Sequence, residues 1–245
     1  MAILSFKRIE KKYIVTEEQK NQLIAIISEY MELDPFCKNQ STYRIQNIYY
    51  DTPTNELISL SVRKPRYKQK LRARKYLGTN FCYLEIKKKS EGVVGKRRLK
   101  LSMQEVDDFV LRGVKPQRES FIDKHVIGEI EYLLSLYKGI QPSTFISYER
   151  LGFFAKNDHE LRITFDNQIH AKRNNFEWDK GDYEIKLLED GLYILEIKYI
   201  QNFPLWLTKA LSKLKIYPHS FSKYGTEYLN RVKGEKEYET IWINN

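Results

Sequence analysis

Apolar and polar residues alternate with a period of two along most of this 245-residue chain. Successive side chains of a β-strand point to opposite faces, so the alternation predicts strands with one apolar and one polar face. The alternation covers residues 5–15, 43–51, 67–77, 81–89, 95–101, 144–154, 159–167 and 192–199. Gly78-Thr79-Asn80 and Lys156-Asn157-Asp158 each connect two of these segments as a hairpin, which indicates a mainly antiparallel sheet.

Helix signals are fewer but specific. Thr16 and Ser102 are each followed three residues later by Gln or Glu. This is the spacing of a capping box, and it predicts one helix from Thr16 to about Met31 and another from Ser102 to Gly113. Apolar spacing predicts further helices over residues 123–137 and 205–214, and a short one over residues 222–231. Together with the strands, these helices predict the α+β fold class.

Composition limits the domain organisation and the partners. No repeat, low-complexity tract or Pro/Ser-rich linker divides the sequence, so a single domain over residues 1–245 is expected. The chain has 42 Lys and Arg against 32 Asp and Glu, a net charge of +10. That balance favours a polyanionic partner such as nucleic acid, anionic lipid or condensed phosphate.

Membrane segments and structural metal sites are not predicted. The sequence has neither a run of eighteen apolar residues nor the apolar core of a signal peptide, so a cytoplasmic protein with no transmembrane segment is expected. Cys37 and Cys82 are expected to remain reduced thiols. Four scattered histidines without a CxxC motif argue against structural zinc, so any metal is expected to be a hard, oxygen-bound ion.

The polar face of the predicted strands is rich in cations. Lys70, Arg72 and Arg74 share one face of their strand, while Leu71 and Ala73 occupy the other. The same parity groups Arg8, Glu10 and Lys12; Tyr83, Glu85, Lys87 and Lys89; Lys96, Arg98 and Lys100; Glu160, Arg162, Thr164 and Asp166; and Glu196 and Lys198. These faces are either the solvated side of an ordinary antiparallel sheet or the inside of a barrel covered by the helices. Repeated like charges repel unless an anion lies between them, which favours the barrel and makes it a cationic tunnel.

Such a tunnel has the groups that a triphosphate and its metal require. Guanidinium groups bind phosphate oxygens bidentately, ammonium groups add point charges, and Glu holds Mg²⁺ or Mn²⁺. Phosphoryl transfer then depends mostly on positioning and charge neutralisation. The segment from Gly92 to Lys96 lacks the Walker spacing, and kinase signatures are absent.

Eight short motifs follow one another between about Phe6 and Arg231. They are RIEKKY at 8–13, IYYDTP at 48–53, KLRARKY at 70–76, LEIK at 84–87, SYER at 147–150, LRITFD at 161–166, LEIKY at 195–199 and FSKY at 221–224. In this order they resemble the VTC domain in its stand-alone bacterial form. The VTC domain is the polyphosphate polymerase branch of the triphosphate tunnel metalloenzymes, which belong to the CYTH-like superfamily. The resemblance implies an antiparallel β-barrel tunnel, the triphosphate tunnel fold, with helices packed on the outside.

The resemblance also implies an activity and a set of site residues. The activity is that of a metal-dependent phosphotransferase, which moves the γ-phosphoryl group of ATP to a growing inorganic polyphosphate chain and releases ADP. The matching positions are Arg72, Arg74, Arg150, Arg162 and Lys223 as catalytic residues; Lys12, Lys87, Lys96, Tyr148, Lys198 and Ser222 as substrate-binding residues; and Glu196 as the ligand of Mn²⁺ or Mg²⁺. The alignment at Lys96 can slide to Arg98. ATP and inorganic polyphosphate are the expected partners, and nucleic acid is not.

Two departures from family patterns bear on the activity. The broader superfamily opens with Glu-x-Glu-x-Lys, whereas Arg8 stands at the first position here, which favours a polymerase over a hydrolase. Eukaryotic relatives also carry an inositol-phosphate-sensing domain and membrane helices, which this sequence lacks. The alternatives are an inorganic or nucleoside triphosphatase of the same fold, and a non-catalytic protein that binds polyphosphate or another polyanion.

Several of these residues also have structural interpretations. Glu196 can pair with Lys198 instead of binding metal, and Tyr148 can belong to the core. Glu10 and Glu85 can simply hold the Lys two residues further on, and Asp51 is explained as a turn residue. The aromatic residues Tyr43, Tyr49 and Tyr50 are expected to be packing, and Lys64, Arg66 and Lys68 form either a basic mouth for a polyanion or a solvated loop.

Overall fold

The structure is a computed structural model, which describes residues 9–37, 41–63, 65–91, 93–157, 160–178, 181–200 and 202–243. Arg8, Lys64 and Asp158, which the sequence analysis named, lie outside these residues. The strands are β1 Ile9–Thr16, β2 Met31–Leu33, β3 Tyr43–Asp51, β4 Tyr67–Tyr76, β5 Cys82–Ser90, β6 Val93–Leu101, β7 Gln141–Ala155, β8 Arg162–Lys172, β9 Ile185–Lys186 and β10 Leu192–Tyr199. The helices are α1 Glu17–Ile27, α2 Glu56–Val62, α3 Met103–Arg112, α4 Phe121–Leu136, α5 Leu205–Lys213 and α6 Lys223–Ile243.

The strands form an antiparallel sheet, which confirms the predicted α+β class. Their order is β1-β10-β8-β7-β3-β4-β5-β6, with β2 beside β7 and β9 beside β8. The pairings β1–β10, β10–β8, β2–β7, β4–β5 and β5–β6 are all antiparallel. In the described residues the order ends at β1 and β6 without a pairing between them, so the sheet is open and the closed barrel stays a prediction. No helix of this described part is both long and apolar enough to span a membrane.

Chain contacts divide the protein into two compact units. Unit 1 comprises Met1–Ile45, Ser147–His170 and Leu188–Phe221, and unit 2 comprises Gln46–Ile146, Ala171–Leu187 and Ser222–Asn245. Each unit is described separately below. The single domain over residues 1–245 stays a prediction.

The core of unit 1 lies between its strands and the helices α1 and α5. The buried side chains come from alternate strand positions and from one face of each helix: Tyr13, Val15, Leu23, Ile27, Ile163, Phe165, Leu195, Ile197, Leu207 and Leu211. Fully burying an aliphatic or Phe side chain of this kind contributes about 1.5–3 kcal/mol. This periodic burial therefore fixes which face of each strand points away from the core.

Helix α1 begins as predicted and ends earlier than predicted. The Thr16 and Gln19 side chains form the reciprocal capping box, with bonds of 3.0 and 3.2 Å. The helix ends at Ile27 rather than near Met31, because Met31 begins β2 and pairs with Ala155 of β7. Strand pairing has therefore overridden the local helix signal.

The core of unit 2 lies between strands β4–β6 and helices α3 and α4. It includes Leu71, Ala73, Leu84, Ile86, Leu99, Leu101, Val106, Phe109, Val126, Ile130 and Leu133. Ser102 and Glu105 form the predicted capping box of α3, and Gly113 ends the helix with φ 73°, a conformation that favours glycine. The alternation in β4, β5 and β6 is therefore confirmed, with the apolar side chains on the helix side.

Two helices of unit 2 differ from the sequence predictions. Helix α2 was not predicted: its first backbone N–H groups are satisfied by the buried Asp51 carboxylate, which accepts bonds from Leu57 N (2.8 Å) and Ile58 N (3.0 Å). Helix α6 begins at Lys223, one residue after the predicted start, but continues to Ile243 instead of ending near Arg231. Five of the twelve residues from 232 to 243 are Glu or Lys, which are good helix formers, and Gly234 does not end the helix.

Candidate functional site

A charged face of unit 2 is formed by the side chains of β4, β5 and β6 that point away from the core. The strand registers arrange these residues in four successive rows: Lys68 and Lys89; Lys70, Lys87 and Lys96; Arg72, Glu85 and Arg98; and Arg74, Tyr83 and Lys100. Neighbouring strands lie about 4.8 Å apart, and successive rows lie about 6.7 Å apart along the strands. These rows hold nine cationic side chains and the single carboxylate of Glu85.

Glu85 gathers the cations at the centre of this face. Its side chain is 2% exposed and is contacted by Arg72 Nη2 at 2.7 Å, Lys96 Nζ at 2.5 Å and Arg74 Nε at 3.9 Å. Burial raises the pKa of the carboxyl group, but Arg72, Arg74 and Lys96 outweigh burial and hold that pKa well below its usual range. Glu85 is therefore an anion at neutral pH, and it holds Arg72 and Lys96 rather than only Lys87 at i+2.

Lys96, and not Arg98, joins Arg72 and Arg74 in contact with the Glu85 carboxylate. Lys96 contacts the Glu85 carboxylate directly, whereas the Arg98 guanidinium lies 4.8 Å from the centre of the Tyr83 ring, in the direction of the next row. Burial lowers the Lys96 pKa, and repulsion by Arg72 and Arg74 lowers it further against the attraction of Glu85. In the strand register Lys96 lies opposite Lys87 and Arg98 lies opposite Glu85, and the substrate-binding role of Lys96 stays a prediction.

Two polar residues of β3 hold the arginines, and the sequence analysis did not identify either. The Tyr49 hydroxyl accepts a 3.0 Å bond from Arg72 Nη1, and the buried Asn47 Oδ1 accepts a 3.0 Å bond from Arg74 Nε. Burial raises the pKa of Tyr49, but Arg72, Lys70 and Arg74 lower it to about 8. Tyr49 is buried and stacks on Tyr224, which confirms the packing interpretation, and its hydroxyl contact with Arg72 is a further role. Only the pairing of β3 with β4 reveals this role, and the sequence contains no signal for that pairing.

The start of α6 contributes two of the predicted substrate-binding and catalytic positions, Ser222 and Lys223. Lys70 Nζ donates a 3.2 Å bond to Ser222 Oγ, which also accepts a 3.2 Å bond from Gly225 N in the first turn of the helix. Backbone N–H groups and the helix dipole make such an N-terminus favourable for anions. The second turn is anchored by a buried Glu227 that pairs bidentately with Arg173 at 2.7 and 2.8 Å.

Unit 1 has its own charged face, on β1, β10 and β8. Lys12 lies opposite Glu196 and Glu10 lies opposite Lys198 in the β1–β10 register. Lys12 Nζ lies 3.3 Å from Glu10 Oε1 and donates a 3.0 Å bond to the Phe221 carbonyl, and Lys198 contacts both Glu10 and Glu196. Desolvation lowers the Lys12 pKa, but Glu196, Glu10 and Asp166 outweigh it and the pKa is raised. Lys12 therefore stays charged.

Arg150 and Arg162 of unit 1 are each held by a buried carboxylate. Arg150 donates from Nε and Nη2 to Asp166 at 2.6 and 2.8 Å, and the buried Tyr148 ring lies 5.3 Å from its guanidinium carbon. Desolvation lowers the Arg150 pKa, but Asp166 outweighs it and raises that pKa. Arg162 Nη2 donates to Asp34 Oδ2 at 2.5 Å, and its buried Nε has no partner in the residues that the structure describes. Asp34 was not predicted because it follows the unpredicted strand β2.

The predicted metal ligand Glu196 lies between Lys12 of β1 and Thr164 of β8 and contacts Lys198. Glu196 is 6% exposed and pairs across the strands with Thr164, whose buried hydroxyl lacks a hydrogen-bond partner within the described residues. Those residues contain no group of three His, Cys, Asp or Glu side chains arranged to hold a metal ion. Mg²⁺ is commonly held by one or two carboxylates together with substrate phosphates and water. The contact with Lys198 also bears out the ion-pair interpretation of Glu196.

The predicted site residues thus fall into two groups. Unit 2 holds Arg72, Arg74, Lys87, Lys96, Ser222 and Lys223, and unit 1 holds Lys12, Tyr148, Arg150, Arg162, Glu196 and Lys198. Within each unit the strand faces bring most members onto one surface. Their catalytic, binding and metal roles stay predictions.

The fold is an antiparallel sheet with helices and a charged face in each unit, and sequence comparison gives the family. The VTC domain family matches residues 7–230, and the chain belongs to this family. No curated protein matches the chain.

Solved structures resemble the chain at low sequence identity. A candidate adenylate cyclase from Bacillus halodurans has 15% identity and a TM-score of 0.54, over 88% of this chain and 95% of that chain. A candidate adenylate cyclase from Vibrio parahaemolyticus has 12% identity and a TM-score of 0.47, over 91% and 98%. A candidate adenylyl cyclase from Hippeastrum, described as having a dominant triphosphatase activity, has 17% identity and a TM-score of 0.48, over 89% and 93%. The Bacillus structure shows that this chain shares its fold.

Proposed function

We propose that the protein is a polyphosphate polymerase, which transfers the γ-phosphoryl group of ATP to inorganic polyphosphate and releases ADP. The observation that carries the proposal is the charged face of unit 2, where nine cationic side chains surround the single carboxylate of Glu85. Glu85 neutralises only part of this charge, so the face has the capacity to bind a polyanion. Family membership supports the choice of condensed phosphate over other polyanions.

In the proposed reaction, a terminal phosphate oxygen of the acceptor chain attacks the γ-phosphorus in line. The bond between the γ-phosphorus and its bridging oxygen breaks, and ADP leaves with the electron pair. Arg72, Arg74 and Lys96 stabilise the charge that accumulates on the transferring and leaving oxygens, because guanidinium and ammonium groups are already oriented by Glu85, Tyr49 and Asn47. The attacking phosphate oxygen is already ionised near neutral pH, so no general base is assigned.

Other proposed roles follow the positions of the side chains. Lys70, Lys87, Ser222 and Lys223 would bind further phosphate oxygens in unit 2, and Lys12, Arg150, Arg162 and Lys198 would do so in unit 1. Tyr148 is buried against Arg150 and would keep that guanidinium in place. Glu196, with Thr164 beside it, would hold Mn²⁺ or Mg²⁺, which supplies positive charge to phosphate oxygens when bound.

The test is incubation of the purified protein with ATP and Mn²⁺, with and without a short polyphosphate primer. Chain length is measured on gels, and ADP and free phosphate are quantified. Long chains with an equal amount of ADP are expected. ADP with only free phosphate would make the protein a triphosphatase, and tight triphosphate binding without turnover would make it a polyanion-binding protein.

A pair of arginine variants in unit 2 ties the activity to the charged face. Arg72→Gln removes a guanidinium that contacts Glu85 and Tyr49, and kcat/KM is expected to fall by about 100-fold, the order seen when one charge-stabilising donor is lost. Arg112→Gln removes an exposed guanidinium on α3 that pairs with Asp108, and serves as the control. Equal activity of the two variants would contradict the assignment of the site to this face.

A further inference from the structure

We propose that the charged face of unit 2 is directional: the nucleoside of the triphosphate binds against Tyr83, Phe81 and Arg98, and the polyphosphate acceptor arrives from the opposite end. The proposal rests on the proposed function, because it assigns the two ends of that site. It concerns the described side chains of β4, β5 and β6 only.

The character of the side chains changes from one end of this face to the other. The first two rows consist of lysines, Lys68 and Lys89 followed by Lys70, Lys87 and Lys96. The third row has arginines on either side of Glu85. The fourth row, about 6.7 Å further along the strands, brings in an aromatic ring with Tyr83. The face therefore begins with ammonium groups alone and ends with a row in which an aromatic ring lies between Arg74 and Lys100.

The aromatic end is a small cluster of half-buried rings, and the long side chains of Arg98 and Lys100 cover it. Tyr83 makes edge contacts with Tyr76 and Phe81, with ring centres 6.3 and 5.6 Å apart. The Arg98 guanidinium lies 4.8 Å from the centre of the Tyr83 ring, and Lys100 Nζ lies 4.0 Å from that of Phe81. Both cations are exposed, so either can move to admit a flat group between itself and the ring.

A nucleobase is the part of ATP that this cluster suits. The base is flat and uncharged, and it stacks on aromatic rings and on guanidinium planes, whereas the rows of lysine offer it no surface for stacking. The adjacent row carries Arg72 and Glu85. When the base of ATP lies on Tyr83, the phosphates of the same ATP therefore point toward Arg72 and Glu85. Single-stranded nucleic acid fits less well, because it needs successive stacking platforms, and Tyr49 and Tyr224, which adjoin the rows of Lys70 and Arg72, are buried and stacked on each other.

This placement fixes the direction of the reaction. The γ-phosphoryl group is the part of ATP furthest from the nucleoside, so it points toward the lysine rows. The acceptor must approach the γ-phosphorus from the side opposite the leaving ADP, which is the end with Lys68 and Lys89. A chain of phosphates needs charge without base recognition, and these lysines supply it.

Binding measurements on ATP and on inorganic tripolyphosphate separate the nucleoside from the phosphates. The variants are Tyr83→Leu, Tyr83→Phe and, as a matched control on an exposed tyrosine of α4, Tyr132→Leu. Tyr83→Leu is expected to raise the Kd of ATP about 10-fold, the order expected for loss of one base-stacking platform, and to leave the Kd of tripolyphosphate within twofold. Tyr83→Phe keeps the ring and is expected to bind ATP as the wild type does.

The outcomes distinguish this inference from the proposed function. Equal weakening of ATP and tripolyphosphate, or no weakening of either, would overturn the nucleoside site. Loss of binding to a short single-stranded RNA with unchanged ATP binding would overturn it in favour of a nucleic-acid platform. Selective weakening of ATP in a protein that makes no polyphosphate would uphold the nucleoside site and contradict the proposed polymerase.

A second variant tests the other end. Lys89→Ala is expected to raise the KM of a polyphosphate primer several-fold while leaving the Kd of ATP within twofold. The reverse pattern, with weaker ATP binding and an unchanged primer KM, would place the nucleoside at the lysine end and overturn the direction.

Discussion

At the scale of single residues, Glu85 decides what the charged face of unit 2 can do. A carboxylate that is 2% exposed beside Arg72, Arg74 and Lys96 allows three cations to approach one another in the absence of a ligand. It holds them in position, so that a bound triphosphate meets groups that are already oriented. It also competes with the phosphates for the same donors, so its removal should affect the free and bound protein differently.

Glu85→Gln is expected to destabilise the free protein by about 3 kcal/mol, since it takes the buried counter-ion from Arg72, Arg74 and Lys96. Tripolyphosphate restores an anion, so it should raise the Tm of the variant by more than it raises that of the wild type. Thermal unfolding with and without tripolyphosphate measures both effects. Glu119→Gln, at an exposed position of the same unit, is the control.

The pH dependence of unfolding gives a second check on Glu85. Its pKa is lowered in the folded state, so its contribution to stability is complete above the unfolded value of about 4.3 and is lost as the pH falls below it. The wild type should therefore lose more stability than Glu85→Gln between pH 5 and pH 3. Parallel acid profiles would show that Glu85 does not hold the cluster together.

Tyr49 gives the face a pH dependence of its own. Its hydroxyl faces Lys70, Arg72 and Arg74 of β4, and its ring stacks on Tyr224 of α6 at 4.5 Å. Above its pKa of about 8, Tyr49 becomes an anion beside Arg72 and cancels part of the charge that binds phosphate. The affinity for tripolyphosphate should therefore decline above about pH 8 in the wild type.

Tyr49→Phe is the matched variant, because it keeps the ring and removes only the hydroxyl. Deprotonation of Lys96, whose pKa is also lowered, weakens binding in both proteins, so the informative quantity is the difference between the two pH profiles. The variant should bind tripolyphosphate more weakly than the wild type below pH 8 and approach it at pH 9. A constant ratio across this range would show that the Tyr49 hydroxyl does not ionise between these pH values.

At the scale of elements, the sequence was sufficient wherever local chemistry determined the structure. Strand β3 has the predicted bounds, 43–51, and the α1 and α3 capping boxes have both of their reciprocal bonds. The parity of β4 and β5 placed Arg72, Arg74 and Glu85 on one face before their pairing was known. These features depend on side chains within four residues of each other.

The elements that were missed depend on distant partners. Strand β2 has three residues and exists because Met31–Leu33 pairs with β7, more than a hundred residues away. Helix α2 begins where Asp51, at the end of β3, accepts backbone bonds from Leu57 and Ile58. Asp51 was correctly interpreted as a local hydrogen-bond acceptor, but a bond from the Tyr224 hydroxyl at 2.8 Å also ties it to α6.

The same distinction applies to the candidate site. Residue type and parity identified the cations, but they did not identify the groups that orient them. Asn47, Tyr49 and Asp34 each contact an arginine that lies on a different strand. Such contacts follow from strand order, which period-two alternation leaves open.

At the scale of the whole molecule, the net charge of +10 predicts how binding responds to salt. A polyanion that binds through several lysines releases condensed counter-ions, so its affinity falls with salt concentration in proportion to the number of contacts. Attraction between separated charges is also screened, over about 8 Å at 0.15 M salt. Salt titration therefore reports how many phosphates the protein engages.

Long polyphosphate and tripolyphosphate should differ in this titration. If a chain extends over the lysine rows beyond the triphosphate, the plot of log affinity against log salt is steeper for long polyphosphate than for tripolyphosphate. Measurements between 0.05 and 0.3 M salt, about a sixfold range, should resolve a difference of two or more contacts. Equal slopes would contradict binding of the chain along the lysine rows, because they would show that the protein contacts no more of a long polymer than of a triphosphate.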